Sequence, residues 1–199
     1  GVAIYDESKT MYDAAVALFF NSYVPARSFH YRGHAHHQGD SYFSRFMYDQ
    51  AASWLFRRMG AGDVLSREQQ FVPYQVIYNL RPDGQQMRRG DTFDDSGRSH
   101  ARKIEDSKRF CVQLAGYYYE DPYLLWLGDS DLFNDLGAFE HVFRLLFRKP
   151  GLRTRPISEL PLAKYFPEPI GDMTLRTGWT LGPESRDAVI DMRIGQYFF

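Results

Sequence analysis

The sequence predicts a mainly α chain that turns to β near its C-terminus. Apolar residues recur at helical spacing through residues 1–150. A stretch with four prolines follows, from Pro156 to Pro169, and after it apolar and polar residues alternate at period two. The 199 residues suit one domain, or one domain with part of a second. The expected organisation is a helical part over 1–150, a proline-rich linker over 151–170, and the start of a β domain over 171–199.

The helices are read in order. Met11, Ala14, Ala15, Leu18 and Phe19 follow the spacing of one buried helical face. Phe43, Phe46, Met47, Ala51, Trp54, Leu55 and Met59 extend that spacing over about four turns. Gly60 and Gly62, which tolerate left-handed backbone, end the helix. Ser66-Arg67-Glu68-Gln69 reads as a capping box, with Pro73 forcing a kink or a late start. Phe110, Leu114, Tyr117 and Tyr118 form another face, on which Cys111 reads as a buried, inert thiol. Phe139, Val142, Phe143, Leu146 and Phe147 form the last face, with His141 beside it as a partly buried structural residue, and Pro150-Gly151 closes it. Met173 to Thr177 and Ala188 to Ile194 read as two strands of a hairpin, with Gly182-Pro183 as the turn signal. A lone hairpin is marginal in water, so more strands are expected to follow. Gly1 carries neither an initiator Met nor a signal segment before it, and Tyr197-Phe198-Phe199 reads as mid-strand, so the chain is expected to be an internal piece of a longer protein.

Composition narrows the function. Against 24 Lys+Arg stand 25 Asp+Glu, a net charge of −1, which gives no global drive toward nucleic acid or anionic membrane. No apolar run approaches the roughly 20 residues of a membrane span. A single cysteine excludes an intrachain disulfide and a cysteine-based zinc cluster. Aromatics make up 17% of the chain, which suits a thick core and also a cleft where sugar rings stack. There is neither a Gly-x-Ser-x-Gly elbow nor a glycine-rich phosphate loop.

Two polar loops are expected between the helices. The first runs from about Pro25 to Asp40 and holds four of the six histidines. The second runs from about Arg81 to Ser99. Loops longer than about 12–15 residues in compact domains usually bind something. In the first, His34, His36 and His37 offer metal-type donors, although a structural zinc site takes four ligands. Adjacent side chains diverge, so one of His36 and His37 faces any given site. Asp40 is placed to cap the helix that follows, at an N-terminus that favours anions. In the second, Arg88-Arg89-Gly90-Asp91, with Arg81 and Arg98 nearby, offers guanidinium forks for a carboxylate or sulfate. Asp94-Asp95 offers oxygen donors to a hard cation.

These segments resemble the heparinase II/III superfamily of polysaccharide lyases, nearest to heparinase II-like members. The resemblance rests on His34-Ala35-His36-His37-Gln38-Gly39-Asp40-Ser41-Tyr42, on Tyr78-Asn79-Leu80-Arg81-Pro82-Asp83-Gly84, on Leu175-Arg176-Thr177-Gly178-Trp179, and on Asp191-Met192-Arg193-Ile194-Gly195-Gln196-Tyr197-Phe198-Phe199. It implies the end of an incomplete α/α toroid followed by the first strands of an antiparallel β-sandwich. It implies β-elimination at a uronic acid of an acidic polysaccharide, in the periplasm or outside the cell, with no cofactor in the chemistry. His37 matches the toroid histidine and Asp40 its carboxyl partner, with His36 and His34 as alternatives if the register slips. His36, Gln38, Tyr42, Arg88, Arg89 and Asp91 are the implied substrate contacts. The tyrosine expected after the Asp-Gly loop falls on Thr92-Phe93, and a phenyl ring exchanges no proton, so either Tyr78 or Tyr42 serves or this member lacks the usual acid/base residue. The second histidine and the ligands of a structural metal would lie beyond Phe199, which leaves these 199 residues inactive by themselves. Two other readings stand beside this one. One is a homologue that binds acidic carbohydrate without cleaving it. The other is an α/α-toroid hydrolase using Asp91, Asp94 and Asp95.

Overall fold

The structure, a computed structural model, describes residues 6–36, 38–39, 43–87 and 103–194. About half of it is helical, and a small antiparallel sheet closes the chain.

Helix α1 spans Lys9–Leu18 and is capped by the Ser8 hydroxyl, which accepts from Met11 N at 3.4 Å. A π-helical turn, Phe19–Tyr23, leads without a break into α2, Val24–Tyr31. Pro25 explains the wide turn. It lacks the N–H that an α-helix would aim at residue 21, and its ring crowds that carbonyl. Proline is tolerated in a first helical turn, so the loop expected from Pro25 is helix as far as Tyr31.

A 3₁₀ turn, Phe43–Arg45, opens α3, Phe46–Arg58. The inner face of α3 is polar. Phe46 is buried together with Asp49, Gln50 and Ser53, while Leu55 and Met59 are 51% and 69% exposed. The expected apolar stripe is therefore only half right. Asp49 is why the helix turns this way. Its carboxylate accepts from the Tyr23 and Tyr31 hydroxyls and lies 3.2 Å from Arg27 Nε. Burial raises the Asp49 pKa, and Tyr23 and Arg27 work against that rise. Ser53 Oγ and the Tyr119 hydroxyl both donate to Gln69 Oε1, at 3.1 and 2.7 Å. These bonds tie α3 to the 3₁₀ turn Arg67–Phe71 and to α5, Asp106–Tyr119.

Ser66 makes no side-chain cap, so the expected capping box is absent. Pro73 precedes the short α4, Tyr74–Tyr78, which is the late start expected of it. The α5 face is buried as expected, and Cys111 is fully buried with its thiol pKa pushed up by desolvation. Sequence periodicity missed α6, Pro122–Asp129, although Asp121 caps it with bonds of 2.9 and 3.0 Å from Tyr123 N and Leu124 N. Helices α5 and α6 lie close because Gly128 has no side chain. A Cβ there would fall 2.5 Å from Gln113 Cγ. Helix α7, Ala138–Phe147, packs Phe147 on Phe110 at 5.5 Å. Val142, Leu145 and Leu146 on α7 are 62%, 75% and 58% exposed, and His141 is exposed where a partly buried residue is expected. The α1 stripe is likewise open, with Met11 and Leu18 at 48% and 67%.

The sheet has the order β1-β2-β3 and is antiparallel throughout. The expected hairpin is β2, Asp172–Arg176, against β3, Val189–Arg193, with Met173 opposite Met192. The proline-rich segment is more than a linker. It contributes β1, Ala163–Phe166, with Tyr165 opposite Met173. The face toward the helices carries Phe166, Asp172, Thr174 and Arg176, all buried. Arg193 pairs there with Asp172 at 3.0 Å. The other face is apolar and open, with Tyr165 51%, Ile190 60% and Met192 48% exposed. Ile157, Phe166 and Ile170 share one core with Tyr31, Val76, Tyr78 and Leu124, so helices and sheet are packed as a unit. No helix among the described residues is long and apolar enough to cross a membrane.

Candidate functional site at the helix–sheet junction

Three of the segments singled out in the sequence meet where the sheet packs on the helices. The first is the turn after α2. Gly33 N and His34 N donate to the His30 and Tyr31 carbonyls, both at 2.9 Å, which winds the chain into a tight turn with His34 at φ +56°. Gly33 lies against the β1–β2 turn. A Cβ there would fall 2.3 Å from Ile170 Cγ1, so only hydrogen fits.

His36 is 1% exposed, with its ring near Phe43 and Phe46. Its backbone N donates to Gln75 Oε1 at 3.0 Å, and its Nδ1 accepts from Gln38 N at 3.4 Å. Gln38 Oε1 accepts from Arg45 Nη1 at 3.1 Å. So His36 is a core residue that shapes the turn rather than a surface contact. His37, Asp40 and Tyr42 lie outside the described residues.

His34 takes a different course. Its ring packs on Phe71 at 4.6 Å, and its Nδ1 is 3.5 Å from Lys164 Nζ on β1. Burial lowers the His34 pKa below 6.5, and the Lys164 charge adds to that, with Glu68 opposing. Lys164 is half-buried, and its ammonium sits 5.3, 5.8 and 5.6 Å from the ring centres of Phe71, Tyr74 and Phe166. Burial lowers its pKa too.

The second segment is Tyr78 to Gly84. Tyr78 is 2% exposed, and its hydroxyl donates to the Pro161 carbonyl at 2.9 Å. Its ring meets Phe166 and Trp179 edge-on, at 6.4 and 5.4 Å, and burial pushes its pKa up to about 12. That environment corrects the expectation that Tyr78 exchanges a proton with substrate. Its hydroxyl is engaged inside the core, so it anchors the sheet. Arg81 to Gly84 form a tight turn rather than the start of an open loop. Arg81 N donates to Gln85 O at 2.6 Å, Gly84 N to Arg81 O at 2.9 Å, and Gly84 takes φ +82°. Arg88, Arg89 and Asp91, with Thr92, Phe93, Asp94 and Asp95, lie outside the described residues.

The third segment, Leu175 to Trp179, holds the second. Arg176 is 6% exposed, lies 3.7 Å over the Trp179 ring, and donates to Gly178 O at 2.8 Å and Leu80 O at 3.4 Å. Burial lowers its pKa to about 10. Trp179 Nε1 donates to Leu160 O, and Gly182 N donates to Pro82 O at 2.8 Å. The β segment thus holds this turn at Leu80 and at Pro82.

Sequence reasoning missed Lys164 and the Asp49 network. A lone Lys in a proline-flanked segment gives no signal, whereas Tyr23, Arg27 and Tyr31 at i, i+4, i+8 do mark one helix face. Among the described residues no group of three or more His, Cys, Asp or Glu is placed to hold a metal ion. The chain matches no protein-family model and no curated protein.

Proposed function

We propose that the chain is part of a polysaccharide lyase that cleaves a uronic-acid-containing acidic glycan by β-elimination, acting in the periplasm or outside the cell. The observation that carries this reading is the meeting of three sequence motifs at one junction. The Arg-Pro-Asp-Gly turn and the Leu-Arg-Thr-Gly-Trp strand are far apart in sequence, yet they touch through Arg176 and Leu80 and through Tyr78 and Trp179, while Gly33, just before the histidine turn, packs on Ile170 of the adjoining β1–β2 turn. Such convergence is expected of a cleft between a helical toroid and a β domain. The open apolar faces of α1, α7 and the sheet fit the same plan, since each suits a further layer of helices or strands.

In this reading His37 takes the C5 proton of the uronate. The electron pair of that C–H bond forms the C4=C5 double bond, the C4–O4 bond breaks, and O4 leaves with a proton from an acid. Asp40 orients His37. Arg88 and Arg89 neutralise the uronate carboxylate, which makes the C5 proton acidic enough to remove. His36 fixes the turn through Gln75 and Gln38. The chemistry needs no cofactor. The test is the appearance of unsaturated uronate with the full-length protein, and its loss in His37→Ala.

One observation favours a second reading. Tyr78 is engaged in the core and Thr92-Phe93 stands where a tyrosine is expected, so among the described residues no tyrosine is offered to O4. A homologue that binds acidic glycan without cleaving it would look the same. Binding of an acidic oligosaccharide with no product would select it.

A further inference from the structure

We propose that His34 and Lys164 form a binding site for an oxyanion, a sulfate or a carboxylate, at the seam between the α2 turn and β1. Two nitrogen centres that can each carry positive charge stand 3.5 Å apart, on segments 130 residues apart in sequence. Among the described residues Lys164 forms no ion pair, which is unusual for a half-buried ammonium. Its charge is held by the faces of Phe71, Tyr74 and Phe166 and by the His34 ring.

The surroundings select an anion. From the 67–71 turn, Glu68 reaches His34 through its field alone. From α4, Tyr74 faces Lys164, but its hydroxyl already donates to Asp121 at 2.8 Å. Across the strand pair, the partner of Lys164 is Thr174, which is neutral and buried. Burial disfavours the charged forms of both His34 and Lys164, the Lys164 charge adds to this at His34, and an oxyanion beside the pair would relieve both. Backbone supports the placement. His34 is held at positive φ by the tight turn, and Lys164 lies on a strand hydrogen-bonded to β2, so neither needs a loop to order on binding.

Only the source of the anion rests on the lyase reading: a sulfate or carboxylate carried by an acidic glycan, as against a free inorganic ion. The test is the titration of the His34 C2–H proton by NMR, assigned by its loss in His34→Gln, in buffers matched in ionic strength with sodium chloride or sodium sulfate. Saturating sulfate is expected to raise the His34 midpoint by about one pH unit, as an opposite charge at contact does. Lys164→Met should abolish the rise and Lys164→Arg should keep it. No rise, an equal rise in chloride, or an equal rise in Lys164→Met would overturn the site. A heparin-derived tetrasaccharide and a neutral oligosaccharide form the last arms. A shift at lower concentration with the tetrasaccharide than with sulfate assigns the anion to the glycan, and a shift with sulfate alone assigns it to a free ion. Formation of unsaturated product is scored separately, so a lyase without this site and a site without lyase activity give different results.

Discussion

Replacing Gly33 with alanine tests the junction most sharply. The added Cβ would sit 2.3 Å from Ile170 Cγ1 and 3.1 Å from the Pro167 carbonyl. The first distance falls about 1.2–1.7 Å short of ordinary carbon–carbon contact. Ile170 is 9% exposed and shares a core with Tyr31 and Phe166, so it cannot swing away freely. Overpacking of this kind costs about 1–3 kcal/mol. Ile170→Ala alone removes a buried side chain and costs about 2–4 kcal/mol. Together the two changes partly cancel, because the new methyl enters the space that Ile170 leaves. The double variant should therefore be more stable than the sum of the single effects by about 1–2 kcal/mol. Urea denaturation of the four proteins measures this, with midpoints compared at a common m value. A Gly33→Ala variant within about 0.5 kcal/mol of the parent, or strictly additive effects, would refute the packing of the α2 turn on the sheet.

Other expectations follow from single contacts. Asp49→Ala leaves Arg27 and two tyrosine hydroxyls without their acceptor and should cost about 3–5 kcal/mol by denaturation; a loss under about 1 kcal/mol would contradict the buried network. Tyr78→Phe keeps the ring and removes one bond to Pro161, so it should cost about 1 kcal/mol while leaving glycan binding and turnover unchanged. His30 and His34 both have pKa values lowered from 6.5, chiefly by burial. The unfolded chain then takes up protons first as the pH falls below 6.5, so stability falls on acidification through that value. His34→Gln should flatten the slope of denaturation midpoint against pH, and an unchanged slope would remove His34 from that account.

Where sequence and structure agree, a strong local pattern lies behind it. Met173 to Thr177 and Ala188 to Ile194 alternate roughly with period two and pair as expected. Phe110, Leu114, Tyr117 and Tyr118 are a buried helical face as their spacing predicts, with Gln113 buried among them and its side-chain amide donating to the Gly128 carbonyl. Periodicity failed on α3 because Asp49 is held inside by Tyr23, Tyr31 and Arg27, a cluster no hydrophobic count can find. It failed at Pro25 because proline in a first turn looks the same as proline in a loop. β1 was hidden by the prolines around it, although edge strands accept that neighbourhood. At the candidate site, the motifs were legible and their meeting was not. Contact between Arg176 and Leu80 joins positions 96 residues apart, which no local spacing encodes. Tyr78 looked reactive in one dimension, and only its burial against Phe166 and Trp179 shows that it is structural.

The most direct test of the central claim is ultraviolet absorbance at the unsaturated-uronate band. The full-length protein is mixed with a panel of uronate polysaccharides, and each trace is followed beside that of His37→Ala. The lyase account predicts a rise on at least one substrate that the variant abolishes. A flat trace on every substrate, with acidic glycan still bound, would contradict elimination and leave a binding protein in its place.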